Sequence, residues 1–254
     1  MPAVTRALHP ALAPYVVSCV GFDEPLDCGW LDEPGSDRYW TLIGGLHDRP
    51  ALIRTHGRQH GIQLALTPVG ARALLGIPAG ELGNTLVRPD DSPHVRRILS
   101  DGLHGRLAEA GWPERFDLLE QRLLQQMDWR NQSGGMAAKV AEAWRLMVST
   151  HGRLPIEEVA HRVGWSRRHL QARWAAEFGL GPKRSARVAR FGHAQQLNEA
   201  GMPLAAVAHV AGYADQSHLN RDWRALAGQT PVETLDDFPI VLENMDGVGA
   251  SSGA

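Results

Sequence analysis

The chain has 254 residues, 43% of them hydrophobic, which is enough to bury a full core and predicts two domains. No apolar run is long enough to cross a membrane, and the first residues lack the charged-then-apolar layout of a signal peptide. The sequence therefore predicts a cytoplasmic protein rather than a membrane or secreted one. The formal net charge is -2, a value that does not by itself favour a nucleic-acid partner.

The charge is unevenly distributed along the chain. Residues 137–235 hold 13 Lys and Arg against 8 Asp and Glu, a net charge of +5. Residues 1–136 hold 13 against 16, a net charge of -3, and the tail from residue 236 holds 0 against 4. A basic segment beside acidic ones is the pattern expected of a DNA-binding domain joined to a domain with another role.

The N-terminal part predicts a small sheet followed by helices. Runs of β-branched and aromatic residues, separated by Gly, Pro and Asp, predict strands at 15–20, 39–43, 51–53 and 62–66. Apolar residues at helical spacing then predict helices at 69–75, 95–110 and 113–127. These strands are too few for an eight-stranded barrel.

Histidines of the N-terminal part raise the hypothesis of a metal site. They are His47, His56, His60, His94 and His104. A spacing of four residues, as between His56 and His60, places two ligands side by side only on a helix. Glycines flank both of these residues, which predicts a turn instead. We therefore interpret them as loop histidines and predict neither a metal site nor a cofactor.

Two further hypotheses concern the same region. Cys19 and Cys28 are candidates for a sensor or an alkyl acceptor, but an apolar strand around Cys19 and acidic neighbours of Cys28 favour inert thiols. Trp30, Tyr39 and Trp40 are candidates for lining a ligand pocket, although aromatic residues in a sheet more often form core. No nucleophile elbow, carboxylate pair or phosphate-binding Gly loop is present, so catalysis is not predicted.

The C-terminal part contains an internal repeat. The segment 159–174 returns at 207–223, with an offset of 48 up to Gly164 and Gly212 and of 49 from Leu170 and Leu219 onward. Each copy predicts a short helix, a turn at a glycine, and a second helix. The second copy carries one additional residue in its turn.

Each copy predicts a recognition helix, about 166–178 in the first and 215–227 in the second. Ser166 and Asp215 are the expected N-caps. Apolar residues at a spacing of four predict the buried stripes, which leaves a polar face with donors that can reach base edges. The predicted DNA contacts on that face are Arg167, Arg168, Gln171, Gln216, Ser217, Asn220, Arg221 and Arg224.

A long helix at 183–199 is predicted between the two copies. Its start carries Lys183, Arg184, Arg187 and Arg190. We expect some of these to meet DNA phosphates, with Arg190 as the candidate for an ion pair within the domain.

These residues carry a resemblance to a known family. The pattern of Gly164, Ser166 and Leu170, repeated at Gly212, Asp215 and Leu219 and ending in 228–231, resembles the DNA-binding domain of the AraC/XylS family of bacterial transcription regulators. The resemblance covers about residues 137–235. It implies double-stranded DNA as partner, with RNA polymerase as a further partner of an activator. It leaves open a small-molecule effector, a homodimer, and a role as an interaction module instead.

The resulting prediction is an α+β protein in three parts. Residues 1–135 form a regulatory domain for ligand sensing or dimerisation, with its boundary at Gly134 and Gly135. Residues 136–238 form an all-α domain with two helix-turn-helix motifs joined by a long helix. Residues 239–254 form an acidic, disordered tail.

Overall fold

The computed structural model describes residues 4–8, 16–22, 24–55, 60–127 and 136–232. These residues form an α+β fold, with all strands before residue 88. The strands, in chain order, are β1 (Val4–Leu8), β2 (Val16–Gly21), β3 (Leu26–Trp30), β4 (Asp37–Tyr39), β5 (Thr41–Gly44), β6 (Ala51–Thr55), β7 (Gly61–Leu66) and β8 (Leu86–Val87). They form two antiparallel sheets, ordered β1-β6-β3-β4 and β7-β2-β5-β8.

The second sheet lies between the first sheet and the helices of the N-terminal part. Successive side chains of a strand point to opposite faces, and the buried residues follow that alternation. In β5, Ile43 packs into the helical core, whereas its neighbour Leu42 packs toward the first sheet. In β2, Val20 packs into the helical core and its neighbour Cys19 packs toward the first sheet.

Two of the sequence predictions for this region are wrong. The segment 39–43 is not one strand, because Tyr39 ends β4 in the first sheet and Thr41 begins β5 in the second. Between them, the Trp40 carbonyl accepts a hydrogen bond from the Gly21 backbone N–H at 2.8 Å. The sheets are also larger than predicted, because β1, β3 and β8 were missed.

The helices of the N-terminal part are α1 (Pro68–Leu75), α2 (Pro93–Arg96), α3 (Asp101–Glu109) and α4 (Trp112–Gln126). The single helix predicted at 95–110 is therefore wrong. Its chain breaks at Ser100, where the backbone is extended. Arg122 of α4 donates to the carbonyls of Arg97 and Ile98, which occupies acceptors that a continuous helix would use. The predicted apolar stripe is still buried on both sides of the break.

The C-terminal part is helical. Its helices are α5 (Ala138–Ser149), α6 (Ile156–Arg162), α7 (Arg167–Phe178), α8 (Pro182–Glu199), α9 (Leu204–Ala211) and α10 (Gln216–Ala227). The predicted helices match these bounds within three residues. The predicted boundary at Gly134 and Gly135 and the predicted tail at 239–254 lie outside the described residues. Among the described helices, none combines the length and apolar character needed to cross a membrane.

Candidate nucleic-acid interface

The helix pairs α6–α7 and α9–α10, the first and second units below, share one turn geometry. Gly164 and Gly212 have positive φ values of 66° and 83°, which only glycine adopts without strain. In the first unit, the Trp165 N–H donates to the Ala160 carbonyl at 2.9 Å; in the second, the Tyr213 N–H donates to Ala208 at 2.8 Å. This six-residue hydrogen bond is the Schellman closure of a helix C-terminus.

Both recognition helices begin at a side-chain cap. Ser166 accepts a hydrogen bond from the His169 N–H at 3.2 Å, and Asp215 accepts one from the His218 N–H at 2.6 Å. These bonds satisfy donors that the first turn of a helix leaves unpaired. The cap follows the glycine by two residues in the first unit and by three in the second, as the sequence offsets predict.

A ring contact closes each turn, and the sequence analysis did not identify it. Trp165 lies edge-on to His169 with ring centroids 4.7 Å apart, and Tyr213 lies edge-on to His218 at 5.1 Å. Both histidines occupy the third position of their helix. The signal was available, since an aromatic residue after the glycine and a histidine three residues after the cap recur in both copies.

The apolar faces of both recognition helices are fully buried against α8. Trp174 is 0% exposed and donates from Nε1 to Ser185 Oγ of α8 at 3.0 Å. Trp223, also 0% exposed, lies edge-on to Phe191 of α8 with ring centroids 5.1 Å apart. With the buried face fixed by α8, the opposite face of each helix points away from the core.

The predicted contact residues lie on these outward faces, with one exception. The exposed residues are Arg167, Arg168, Gln171, Gln216, Ser217, Arg221 and Arg224. Asn220, expected on the exposed face, is partly buried instead, and its Oδ1 atom is buried and accepts no hydrogen bond in the described part of the chain. Because it directly follows the buried Leu219, Asn220 lies at the edge of the outward face.

A basic groove lies beside the first recognition helix. It has a volume of about 340 Å³ and is lined by Ile156, Arg167, Gln171, Gly181, Pro182, Lys183 and Arg184. Within it, Arg167 is paired with Glu157 at 2.6 Å, a contact between two exposed side chains that is worth little in water. The groove therefore joins two predicted contact residues to the positively charged start of α8.

The basic residues of α8 are placed differently from the prediction. Arg187, not Arg190, makes the ion pair within the domain, with its Nε 2.9 Å from Oδ1 of Asp222 on α10. Arg190 instead lies over the Tyr213 ring at 5.4 Å. Burial, together with Asp222, raises the pKa of Tyr213, so the phenol stays neutral in this network.

The two units match known helix-turn-helix proteins. A family model described as a helix-turn-helix domain matches residues 159–237. A Staphylococcus aureus protein named as an uncharacterized HTH-type transcriptional regulator is 28% identical over 95 residues, which are 37% of this chain and 13% of that protein. Over residues 159–237, the C-terminal domain is therefore a helix-turn-helix domain.

Solved structures show likeness over a longer span. Fatty-acid-bound ToxT of Vibrio cholerae covers 91% of this chain and 90% of its own, with a TM-score of 0.54 and 9% identity. ToxT in another crystal form covers 92% and 94%, with a TM-score of 0.55 and 9% identity. At such identities the likeness concerns the fold alone. An AraC-type regulator of Chromobacterium violaceum is 25% identical over 40% of this chain and 92% of its own, with a TM-score of 0.37.

The C-terminal domain packs directly against the N-terminal domain. Leu46, in the loop between β5 and β6, is buried in the hydrophobic core of the first unit. Arg72 of α1 donates from Nη1 to both carboxylate oxygens of Glu177 on α7, at 2.7 and 2.9 Å. Asp48 pairs with Arg184 of the basic groove.

Both cysteines of the N-terminal domain are free thiols, Cys28 buried and Cys19 partly buried. Burial raises the pKa of Cys19 to about 12. Burial, then Cys19 and Asp27, raise the pKa of Cys28 as well. A thiol that stays protonated is a poor nucleophile, which agrees with the interpretation of both residues as inert.

The structure also places the residues of the other two N-terminal hypotheses. Trp40 is 46% exposed, and Arg49 covers the Trp30 ring at 4.2 Å, so these aromatic residues do not line a common cavity in the described chain. His56 lies outside the described residues. Among the residues that are described, no group of three metal-binding side chains is close enough to hold an ion.

Proposed function

We propose that the protein is a sequence-specific transcription regulator that binds double-stranded DNA in two adjacent major grooves. The observation that carries this proposal is the repeated geometry of the two units, with equivalent turns, caps and buried stripes. Each unit presents a recognition helix whose outward face is polar. Helices in this arrangement insert their first turns into the major groove.

The two faces differ in chemistry, which supports recognition of two different half-sites. The first helix offers Arg167, Arg168 and Gln171, whereas the second offers Gln216, Ser217 and Arg221. Arg pairs bidentately with guanine, and Gln pairs bidentately with adenine. The preferred DNA site should therefore be asymmetric. A palindromic site would present the same bases to two recognition helices that carry different side chains.

The test begins with selection of a binding site from random duplexes by the full-length protein. We expect Arg168→Ala combined with Arg221→Ala to weaken binding to that site by about tenfold or more, because each lost bidentate contact costs about 1–3 kcal/mol. Fluorescence anisotropy measures the affinity. Arg145→Ala is the control, since Arg145 is an exposed arginine of α5 that pairs with Glu142. Equal affinity of the double variant and wild type would refute the assignment of the reading faces.

We further propose that the N-terminal domain modulates DNA binding through its contacts with the first unit. Three contacts support this: Leu46 enters the core of that unit, Arg72 holds the carboxylate of Glu177, and Asp48 neutralises Arg184. A ligand or a second subunit bound to residues 1–135 would act through them. ToxT was crystallised with an unsaturated fatty acid, which makes a small amphipathic effector the first class to test.

A thermal-shift screen of the full-length protein tests the effector. A ligand of the folded state raises the melting temperature by mass action. Fatty acids are the first probes, and alcohols of the same chain length are the controls. Oligomeric state is measured separately by light scattering, and RNA polymerase contact by transcription in vitro.

An alkyl-acceptor role for Cys19 or Cys28 predicts that the mass of the protein increases after treatment with methyl iodide. Because both thiols stay protonated, we expect no such increase.

A further inference from the structure

The two units have separate hydrophobic cores. The core of the first unit contains Trp174 and Phe178, and that of the second contains Trp223 and Leu226; no residue belongs to both. Helix α8 contributes to each core in turn. Apart from α8 itself, the angle between the two recognition helices therefore depends on contacts outside the cores.

One such contact comes from the loop 151–153, between α5 and α6, called the bridging loop below. Arg153 of this loop donates from Nη1 to the Val210 carbonyl at 3.1 Å. Val210 is in the last turn of α9, where carbonyls lack partners within the helix. The Arg153 stem covers the turn of the second unit, because a Cβ placed on Gly212 would lie 3.1 Å from its Cδ.

The bridging loop is also fixed to α8. Gly152 has a φ of 69°, and a Cβ at this position would lie 2.1 Å from the Ala186 carbonyl oxygen of α8. His151 stacks on His193 of α8, with ring centroids 3.9 Å apart and planes 10° from parallel. Burial, with the neighbouring His151 and Arg153, lowers the pKa of His193, which favours the uncharged ring in this stack.

We propose that the bridging loop is a specificity determinant of DNA binding: it fixes the relative orientation of the two recognition helices and so selects the spacing between half-sites. This inference rests on the proposed function. Arg153, Gly152 and the His151–His193 stack are positioning residues, which act through the second unit rather than on a base.

The physical reason is that α8 alone is a weak constraint on orientation. Its 18 residues span about 27 Å. A single helix of this length can bend, and it only weakly opposes rotation of the helix-turn-helix unit attached at its end. A contact away from the helix axis opposes that rotation. Successive major grooves on one face lie about 34 Å apart, so a fixed pair of helices accepts few spacings without deforming the DNA.

The N-terminal domain makes a second connection between the units. Gly80 lies against Gly179 at the end of α7, and Leu31 lies against Gly228 at the end of α10. The experiments therefore use the full-length protein. Leu31→Ala is included beside the loop variants, to separate the contribution of this second connection from that of the bridging loop.

The first experiment needs no DNA. Spin labels are attached to the thiols of Ala172→Cys on α7 and Ala225→Cys on α10, both exposed positions, in a protein whose two native cysteines are changed to alanine. Double electron–electron resonance then reports the distance between the recognition helices. We expect one narrow distribution that broadens in Arg153→Ala and in His193→Ala but not in Arg145→Ala. An unchanged distribution in both Arg153→Ala and His193→Ala would overturn the proposal.

The second experiment uses the selected DNA site with one base pair inserted or deleted between its half-sites. Wild type is expected to bind the altered sites at least about tenfold more weakly, because the DNA must deform to fit. Arg153→Ala should reduce that discrimination while binding the original site almost as well. Weaker binding by the same factor on every site would instead mark Arg153 as a phosphate contact and refute the proposal.

The two experiments separate failure of this inference from failure of the proposed function. A wild-type protein that binds no selected duplex above the affinity for random DNA refutes sequence-specific binding. The distance distributions then decide the role of the bridging loop by themselves. Normal circular dichroism and melting temperature of each variant are required before either result is interpreted.

Discussion

The first and second helix-turn-helix units have the same backbone plan but different surroundings. In the first unit, the acidic residue of the recognition helix, Glu177, binds Arg72 of the N-terminal domain. In the second unit, the corresponding partner of Asp222 is Arg187 of the linker helix within the same domain. The ion pair of the first recognition helix thus comes from outside its domain, and that of the second comes from inside it.

The hydrophobic cores show the same difference. Leu46 of the N-terminal domain is a member of the first core, whereas the second core contains only residues of the C-terminal domain. The N-terminal domain meets the second unit through the side chains of Leu31 and Pro50 at Gly228, with no ion pair to α10 in the described chain. A conformational change in the N-terminal domain should therefore affect the position of the first recognition helix more than that of the second.

The largest expected effect comes from the central tryptophans. Trp174→Ala and Trp223→Ala each remove a fully buried side chain and should each cost about 3–5 kcal/mol of stability. Hydrogen exchange followed by mass spectrometry locates the loss. For Trp174→Ala we expect faster exchange in α6 and α7 and also around Leu46, because the core is shared.

For Trp223→Ala, faster exchange should be confined to α9 and α10 and the adjoining part of α8. The milder Trp→Phe changes at the same positions are the controls, since they preserve an aromatic ring in each core. If Trp223→Ala accelerates exchange around Leu46 as much as Trp174→Ala does, the two cores are not independent, and the comparison between the units is wrong.

A smaller effect is expected from the two carboxylates. Glu177→Gln and Asp222→Asn keep the size of each side chain but remove the charge that its arginine partner binds, at a cost of about 1–3 kcal/mol. Urea denaturation measures that cost. Glu157→Gln is the matched control, because Glu157 is 59% exposed in its pair with Arg167 and should contribute less than about 1 kcal/mol.

The two carboxylate variants should differ in where they act. Glu177→Gln is expected to speed hydrogen exchange in α1 as well as α7, since Arg72 loses its partner. Asp222→Asn is expected to leave α1 unchanged and to weaken binding mainly at the half-site of the second unit. Faster exchange in α1 in both variants would contradict the assignment of the Glu177–Arg72 ion pair to the first unit and the Asp222–Arg187 ion pair to the second.

The sequence predicted the helices and turns of the C-terminal domain well because their signals are local. A glycine with positive φ, a capping side chain and apolar residues at a spacing of four fix each unit within about twenty residues, as at Gly212, Asp215 and Leu219. The ring contacts of His169 and His218 are equally local. They were not predicted, because the repeat was identified from its glycines, caps and apolar residues and not from these histidines. The contact residues on the outward faces stay a prediction.

The features that the sequence did not predict depend on distant partners. The break at Ser100 follows from Arg122, more than twenty residues away, which binds the carbonyls of Arg97 and Ile98. The same holds for Arg184, whose partner Asp48 lies 136 residues away. No periodicity or spacing in one sequence identifies such pairs, because each residue alone is typical of a solvated surface.

The smallest expected effect tests that last pair. Asp48→Asn removes the charge opposite Arg184, an arginine that is 58% exposed and lines the basic groove. If Arg184 contacts a DNA phosphate, as we propose, that phosphate and the Asp48 carboxylate compete for this guanidinium. The variant should therefore bind DNA a few-fold more tightly, and the slope of log affinity against log salt should steepen by about one unit for the added phosphate contact.

Asp32→Asn is the control, because Asp32 pairs with Arg49 within the N-terminal domain and leaves the groove unchanged. Anisotropy titrations at several salt concentrations give both the affinity and the slope. A tighter complex with an unchanged slope would mean that Asp48 acts on the position of the loop rather than on charge. Weaker binding would mean that the contact aligns the first unit for DNA instead of competing with it, and the N-terminal domain would then assist that unit rather than restrain it.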